Sequence, residues 1–89
     1  MDKRWYVYIV QCGDGTFYTG ITDDVSRRLT EHNAGTGAKY TRGRSPIILR
    51  YSKQISSKSE ALKEEYRIKQ LPRSMKAELC ALNLREGEK

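Results

Sequence analysis

The sequence predicts an α+β fold: a three-stranded antiparallel sheet flanked by helices, in the order β-β-α-β-α-α. Three observations predict it. Two runs rich in aromatic and β-branched residues open the chain, separated by the turn signal Gly13-Asp14-Gly15, which is the pattern of a hairpin. Side chains suited to capping precede two stretches with helical spacing of apolar residues, at Asp24 and at Ser57. Between those stretches lies a third strand-like run, Ile47-Ile48-Leu49-Arg50-Tyr51-Ser52. The 89 residues suffice for one domain with one modest core. We place that domain at residues 1–84 and a polar tail at 85–89.

The first strand covers residues 4–12, and its composition predicts that both of its faces are covered. The second runs from Thr16 to Thr22. Thr22-Asp23-Asp24 then offers N-cap side chains, and Val25, Leu29 and His32 follow at helical spacing, so a helix is expected over about residues 24–33. Residues 34–46 mix Gly and Pro with Lys39, Arg42 and Arg44 and read as a charged loop. After the third strand, Ser57-Lys58-Ser59-Glu60 fits the S-x-x-E capping box and starts a second helix. That helix carries Ala61, Leu62, Tyr66, Ile68 and Leu71. Pro72 interrupts it, and a third helix is expected over about residues 73–84, with Met75, Leu79 and Leu82 along one side. A short turn between the first two strands favours an antiparallel sheet with helices packed on it.

Composition narrows the function classes. Hydrophobic residues make up 37% and charged residues 31% of the chain, which is globular rather than disordered or membrane-spanning. No apolar run of about 18 residues occurs, and the first residues lack the features of a signal peptide, so a cytoplasmic location is expected. Cys12 and Cys80 lack CxxC spacing and read as free thiols in a reducing compartment. With His32 as the single histidine, a zinc site lacks ligands. The net charge is +6, from 17 Lys and Arg against 11 Asp and Glu. That favours a polyanionic partner, nucleic acid ahead of a membrane surface. Arg27 and Arg28 sit together, and Lys39, Arg42 and Arg44 crowd the Gly-rich loop.

Three features do not suit a plain core. With Ala61 at zero on a helical wheel, the apolar face centres near about 30°, and Glu65 falls near about 40°, inside it. Glu64 falls near about 300°, at the edge. A buried carboxylate is costly unless it is paired or binds a metal, so Glu65 reads as either a metal ligand or half of a structural salt bridge. On the first helix, Arg28 flanks the stripe that holds Val25, Leu29 and His32, while Arg27 faces water. His32 reads as a satisfied core histidine or as a functional one. Finally, side chains alternate along strands. A three-residue turn at Gly13-Asp14-Gly15 pairs Tyr8 near Gly20 and Tyr18 near Val10, with both tyrosines on one face. A two-residue turn puts them on opposite faces.

These features coincide in one family. Tyr6-Val7-Tyr8 and Tyr18-Thr19-Gly20 resemble the two half-motifs of the GIY-YIG nucleases. Arg28 stands ten residues after Tyr18, where that family carries an arginine, and Glu65 matches its metal-binding glutamate. The resemblance covers residues 4–75 and is closest to the small stand-alone bacterial members, which carry segments similar to Arg28-Leu29-Thr30-Glu31-His32-Asn33 and Gly37-Ala38-Lys39-Tyr40-Thr41-Arg42-Gly43. Tyr6 replaces the first glycine of the motif, Thr19 its second isoleucine, and Ile21 a lysine of some repair members. The asparagine that several members carry after the glutamate helix has no equivalent in Leu71-Pro72-Arg73.

The resemblance implies a metal-dependent endonuclease that hydrolyses phosphodiester bonds, in DNA ahead of RNA, guided by substrate shape or by a protein partner. It implies Tyr8, Tyr18, Arg28, His32 and Glu65 as catalytic residues, with Glu65 also holding Mg²⁺ or Mn²⁺. Arg28 would grip the scissile phosphate, one tyrosine would help deprotonate water, and His32 would assist proton movement. A neighbouring Arg28 and the metal are expected to favour a tyrosine phenolate. Arg27, Lys39, Arg42 and Arg44 would contact the nucleic-acid backbone. Covalent attack by a tyrosine stays open. The rival readings are a nucleic-acid-binding module that keeps the fold without cutting, and a structural protein of a larger ribonucleoprotein.

Overall fold

The computed structural model describes residues 4–87, with side chains through residue 82. The order is β1 (Trp5–Gln11), β2 (Phe17–Thr22), α1 (Val25–Ala34), β3 (Ile48–Ile55), α2 (Lys58–Lys69) and α3 (Arg73–Gly87), with a short 3₁₀ turn at Lys39–Thr41. The sheet is antiparallel, in the order β2-β1-β3, as the sequence predicts. The third strand runs three residues past its expected end at Ser52. The third helix reaches Gly87, into the segment expected as a tail. Residues 88–89 of that tail, and the first three residues on which the signal-peptide reading rests, lie outside the described residues.

β1 is central because both of its faces are apolar. Val7 and Ile9 point to one side and Tyr8 and Val10 to the other, all at most 2% exposed. Tyr8, Val10, Cys12 and Ile47 form one cluster, packed by Tyr18 and by Leu29 of α1. Val7, Ile9 and Ile68 of α2 form the other, joined by Leu79 and Cys80 of α3. The sheet therefore lies between α1 and the α2–α3 pair. Cys12 and Cys80 are free thiols on opposite faces. Among the described residues, no helix is long and apolar enough to cross a membrane.

The caps fall where expected. The Asp24 side chain accepts from the Arg27 N–H, and Ser57 accepts from the Glu60 N–H, each satisfying a donor that a helix start leaves orphaned. Two helix faces differ from expectation. In α2, Leu62 is 46% and Tyr66 69% exposed. The buried line is Ala61 and Ile68, so the packed face is rotated toward Glu64. In α3, Met75 and Leu82 are exposed, and only Leu79 of the expected stripe packs inward. Both helices pack against a sheet whose outline the wheel cannot contain, and that outline selects the buried side.

Candidate active site

The hairpin sets the first two side chains. Tyr8 pairs with Gly20 and Val10 with Tyr18, the register of the three-residue turn, and Gly15 closes that turn at φ +87°. Both tyrosines lie on the α1 face and meet the same imidazole. The Tyr8 and His32 ring centroids are 5.8 Å apart, and those of Tyr18 and His32 5.5 Å. Gly20 is needed opposite Tyr8, since a Cβ there would stand 2.6 Å from the phenol oxygen.

A directed hydrogen-bond chain runs from Tyr8 into the loop. The Thr41 hydroxyl donates to the Ala38 carbonyl at 2.9 Å. Its oxygen therefore accepts from His32 Nδ1–H, at 2.8 Å. That leaves His32 Nε2 as a lone-pair acceptor, and the Tyr8 O–H donates to it at 2.8 Å. Tyr8, His32 and Thr41 are each at most 2% exposed. His32 is thus a satisfied core histidine and a partner of a site tyrosine at once. Sequence reasoning passed over Thr41. The available signal was that a buried imidazole needs a partner at each nitrogen.

Burial pushes the Tyr8 phenol up to about 12, with the Tyr18 and Glu65 charges acting the same way and Arg28 opposing them. Arg28 acts on Tyr8 in the expected direction, toward the phenolate, but burial outweighs it. Burial also lowers the His32 pKa below its ordinary value, helped by the Arg28 charge, with Glu31 opposing. At rest the pair is a neutral phenol donating to a neutral imidazole.

Arg28 is half-buried on α1 and bonds Glu31 at 3.0 Å. Its guanidinium acts on both Tyr8 and His32. Glu65, on α2, is near enough to act on Tyr8 electrostatically. Its side chain is 20% exposed and pairs with Lys69 at 3.4 Å. Glu64 is buried to the same degree, 18% exposed, and is held by Arg67 through two bonds at 2.7 and 2.8 Å. Glu64, expected at the edge of the apolar face, is thus as covered as Glu65 and the more tightly paired of the two. Among the described residues, no cluster of three or more His, Cys, Asp or Glu could hold a metal. A single carboxylate such as Glu65 fits an ion that keeps waters and takes its other ligands from a substrate phosphate, which is the habit of Mg²⁺.

The four cations assigned to the nucleic-acid backbone differ in setting. Arg27 is exposed and paired with Asp23 at 2.8 Å. Lys39 and Arg42 are exposed at either end of the 3₁₀ turn. Arg44 is built into the site. It ion-pairs with Asp14 of the hairpin turn and lies 4.5 Å over the ring of Tyr40. Tyr40 in turn stacks on Tyr18, at 5.7 Å and 24°. Arg44, Tyr40 and Tyr18 thus form a stack whose last ring meets His32 edge-on. Tyr40 is a second residue that sequence reasoning missed. Asn33 pins the far end of the loop through bonds to the Ile47 N–H and carbonyl at 2.8 and 2.9 Å.

Comparison with known proteins places the chain in a family. Residues 4–78 match the family model described as the GIY-YIG catalytic domain. A UPF0213 protein of Halobacterium salinarum is 61% identical over 74 residues, which is 83% of this chain and 96% of that protein. One of Oceanobacillus iheyensis is 51% identical over 86 residues, covering 97% of this chain and all (100%) of the other. The solution NMR structure of a UPF0213 protein from Bacillus halodurans superposes with a TM-score of 0.57 at 49% identity, covering 89% of this chain and 84% of that one. A solution NMR structure from E. faecalis gives 0.58 at 46% identity, with 85% and 83% covered. The chain therefore belongs to the GIY-YIG family, among its small UPF0213 proteins.

Proposed function

We propose that this protein is a divalent-metal-dependent endonuclease of the cytoplasm that hydrolyses phosphodiester bonds, with DNA ahead of RNA as substrate. The observation that carries the reading is the hydrogen bond between Tyr8 and His32, with Tyr18 against the same imidazole and the charges of Arg28 and Glu65 acting on Tyr8. Family membership supports nuclease chemistry and metal dependence. Mg²⁺ or Mn²⁺ are the ions we assign, with Glu65 as the protein ligand.

The chain's own residues divide the work. Arg28 offers a planar fork matched to phosphate oxygens and holds the scissile group. An attacking water loses its proton to Tyr8 as Tyr8 passes its own proton to His32 Nε2. A phenol near 12 is a poor base alone, so the transfer through His32 avoids a free phenolate. Thr41 keeps the imidazole in the tautomer that accepts. Tyr18, backed by Tyr40, orients the water or the phosphate. A divalent ion at Glu65 supplies positive charge against the phosphate. Arg27, Lys39 and Arg42 contact the backbone on either side, and a protein partner or the shape of the substrate supplies selectivity.

A non-cutting binding module is the second reading, favoured by the high Tyr8 pKa and by the Lys69 partner of Glu65. Incubation with branched, flapped and linear DNA and with RNA, in Mg²⁺ or EDTA, separates the two. Metal-dependent products lost in Arg28→Ala support the nuclease. Tight binding with no product from any substrate in Mg²⁺ sinks it.

A further inference from the structure

A cavity of about 410 Å³ opens on the sheet face opposite Tyr8 and His32, between the hairpin end of the sheet and α3. Phe17 forms part of its wall. Ala77 and Ala81, on successive turns of α3, leave the space that larger side chains would fill. Gln11, Arg50 and Arg73 also line it. The volume lies within the range of small-molecule sites.

Both arginines are placed by the fold. Ile9 pairs with Tyr51 and Val10 with Leu49, so Arg50 is the extra residue of a β-bulge, a device that re-aims a side chain. Its Nε–H donates to Gln11 Oε1 at 3.0 Å. Arg73 opens α3, lies 4.9 Å over the Phe17 ring and donates to the Gly15 carbonyl at 2.9 Å. Each guanidinium has five N–H groups and uses one in these bonds. No carboxylate lines the cavity, and neither arginine makes an ion pair among the described residues. Two unneutralised planar cations beside an apolar hollow match an anion with an apolar body.

A second cleft of about 290 Å³ shares Gln11 and Arg50 with the first and continues past Gly13 and Pro46. That is the segment where Arg44 holds the hairpin turn. We propose that the α3 cavity binds one phosphorylated nucleotide unit, either free or at the end of a single strand, with the phosphate on Arg50 and Arg73 and the base against Phe17 and the two alanines. The choice of ligand rests on nucleic acid as the substrate class, not on cleavage.

The test is a titration of the ¹⁵N-labelled full chain followed by amide shifts. The probes are inorganic phosphate, thymidine monophosphate, and tetrathymidylate with and without a 5′-phosphate. Shifts at Ala77, Ala81 and the Gln11 side chain should saturate at least tenfold more tightly with a phosphorylated nucleotide than with phosphate. Saturation by the monophosphate alone identifies a free nucleotide, and saturation by the 5′-phosphorylated oligomer as well identifies a strand end. Ala81→Leu and Ala77→Leu should each weaken that binding at least tenfold by filling the cavity, and Arg50→Gln should do so without touching α3. Shifts confined to the Tyr18 and Arg28 side, equal saturation by inorganic phosphate, or binding that survives all three variants would overturn the proposal. Cleavage is measured separately on wild type, so an inactive protein that still binds in the cavity removes the nuclease reading and leaves this one standing.

Discussion

At the residue scale, the chemistry turns on where two protons and one carboxylate sit. Thr41 fixes which nitrogen of His32 can accept from Tyr8. Thr41→Val keeps the shape and strands Nδ1–H in a buried place, which costs about 1–3 kcal/mol. It also frees the other tautomer, so cleavage should fall about 100-fold, the scale of a lost general base. Thr41→Ser should restore both. Melting temperature and product rate check this, and full activity in Thr41→Val would dismiss the relay. The two glutamates make a second pair of tests. Lys69 is 48% exposed, so Glu65→Gln removes only a weak surface pairing and should change stability by less than about 1 kcal/mol. Its cleavage should fall at least about 100-fold, as expected for a lost electrostatic group. Glu64→Gln loses the bonds to Arg67, itself 57% exposed, and should cut normally. A dead Glu64→Gln beside an active Glu65→Gln would reverse the metal assignment.

At the element scale, the hairpin and the loop after α1 act as two jaws on one imidazole. The hairpin brings Tyr8 and Tyr18 to the α1 face, and the loop brings Thr41 beneath His32 and Tyr40 behind Tyr18. Gly20 makes room for the Tyr8 ring in the first jaw. In Gly20→Ala the new methyl would stand 2.6 Å from the Tyr8 oxygen, and a ring that is 2% exposed has little room to yield. The variant should lose about 1–3 kcal/mol, as overpacked cores do, and should lose the Tyr8–His32 hydrogen bond with most of its cleavage. A crystal structure of the variant with that bond intact would refute the fit. This element is also where the sequence was most legible: alternation narrowed the register to two, and the folded turn selects the one that sets Tyr8 against Gly20. The loop was least legible, because nothing local reveals that Arg44 stacks on Tyr40 instead of facing only solvent.

At the scale of the whole molecule, the site residues couple folding to pH from both ends. The folded pKa of His32 is lowered, so on acidification the unfolded chain takes up that proton first. The contribution is fully present above the ordinary histidine value of 6.5 and is lost as pH falls from there toward the folded value. Tyr8 runs the other way. Its folded pKa is raised from 10.0 to about 12, so its contribution is fully present below 10.0 and is lost as pH rises through about 12. Melting temperature should therefore plateau between these limits. Tyr8→Phe should flatten the alkaline fall, and His32→Gln the acid one. Cleavage should also drop on acidification as the folded His32 protonates, with a midpoint below the ordinary histidine value of 6.5. A cleavage rate that stays level across the full titration of His32 would mean it accepts no proton.

What the sequence determined by itself was local and periodic. The strand alternation, the Asp24 and Ser57 caps and the turn at Gly13–Gly15 depend on near neighbours, so element order could be read directly and the hairpin register reduced to two alternatives. The family motifs then marked Tyr8, Tyr18, Arg28 and Glu65. Tertiary structure decided the rest, because burial is a property of what packs on a side chain. It turned α2 so that Leu62 and Tyr66 face solvent and Glu64 and Glu65 are half-covered. It also brought Thr41 to His32 across nine residues and His32 to Tyr8 across 24. No helical or strand period spans those separations, and the proton path exists only where the folded chain closes them.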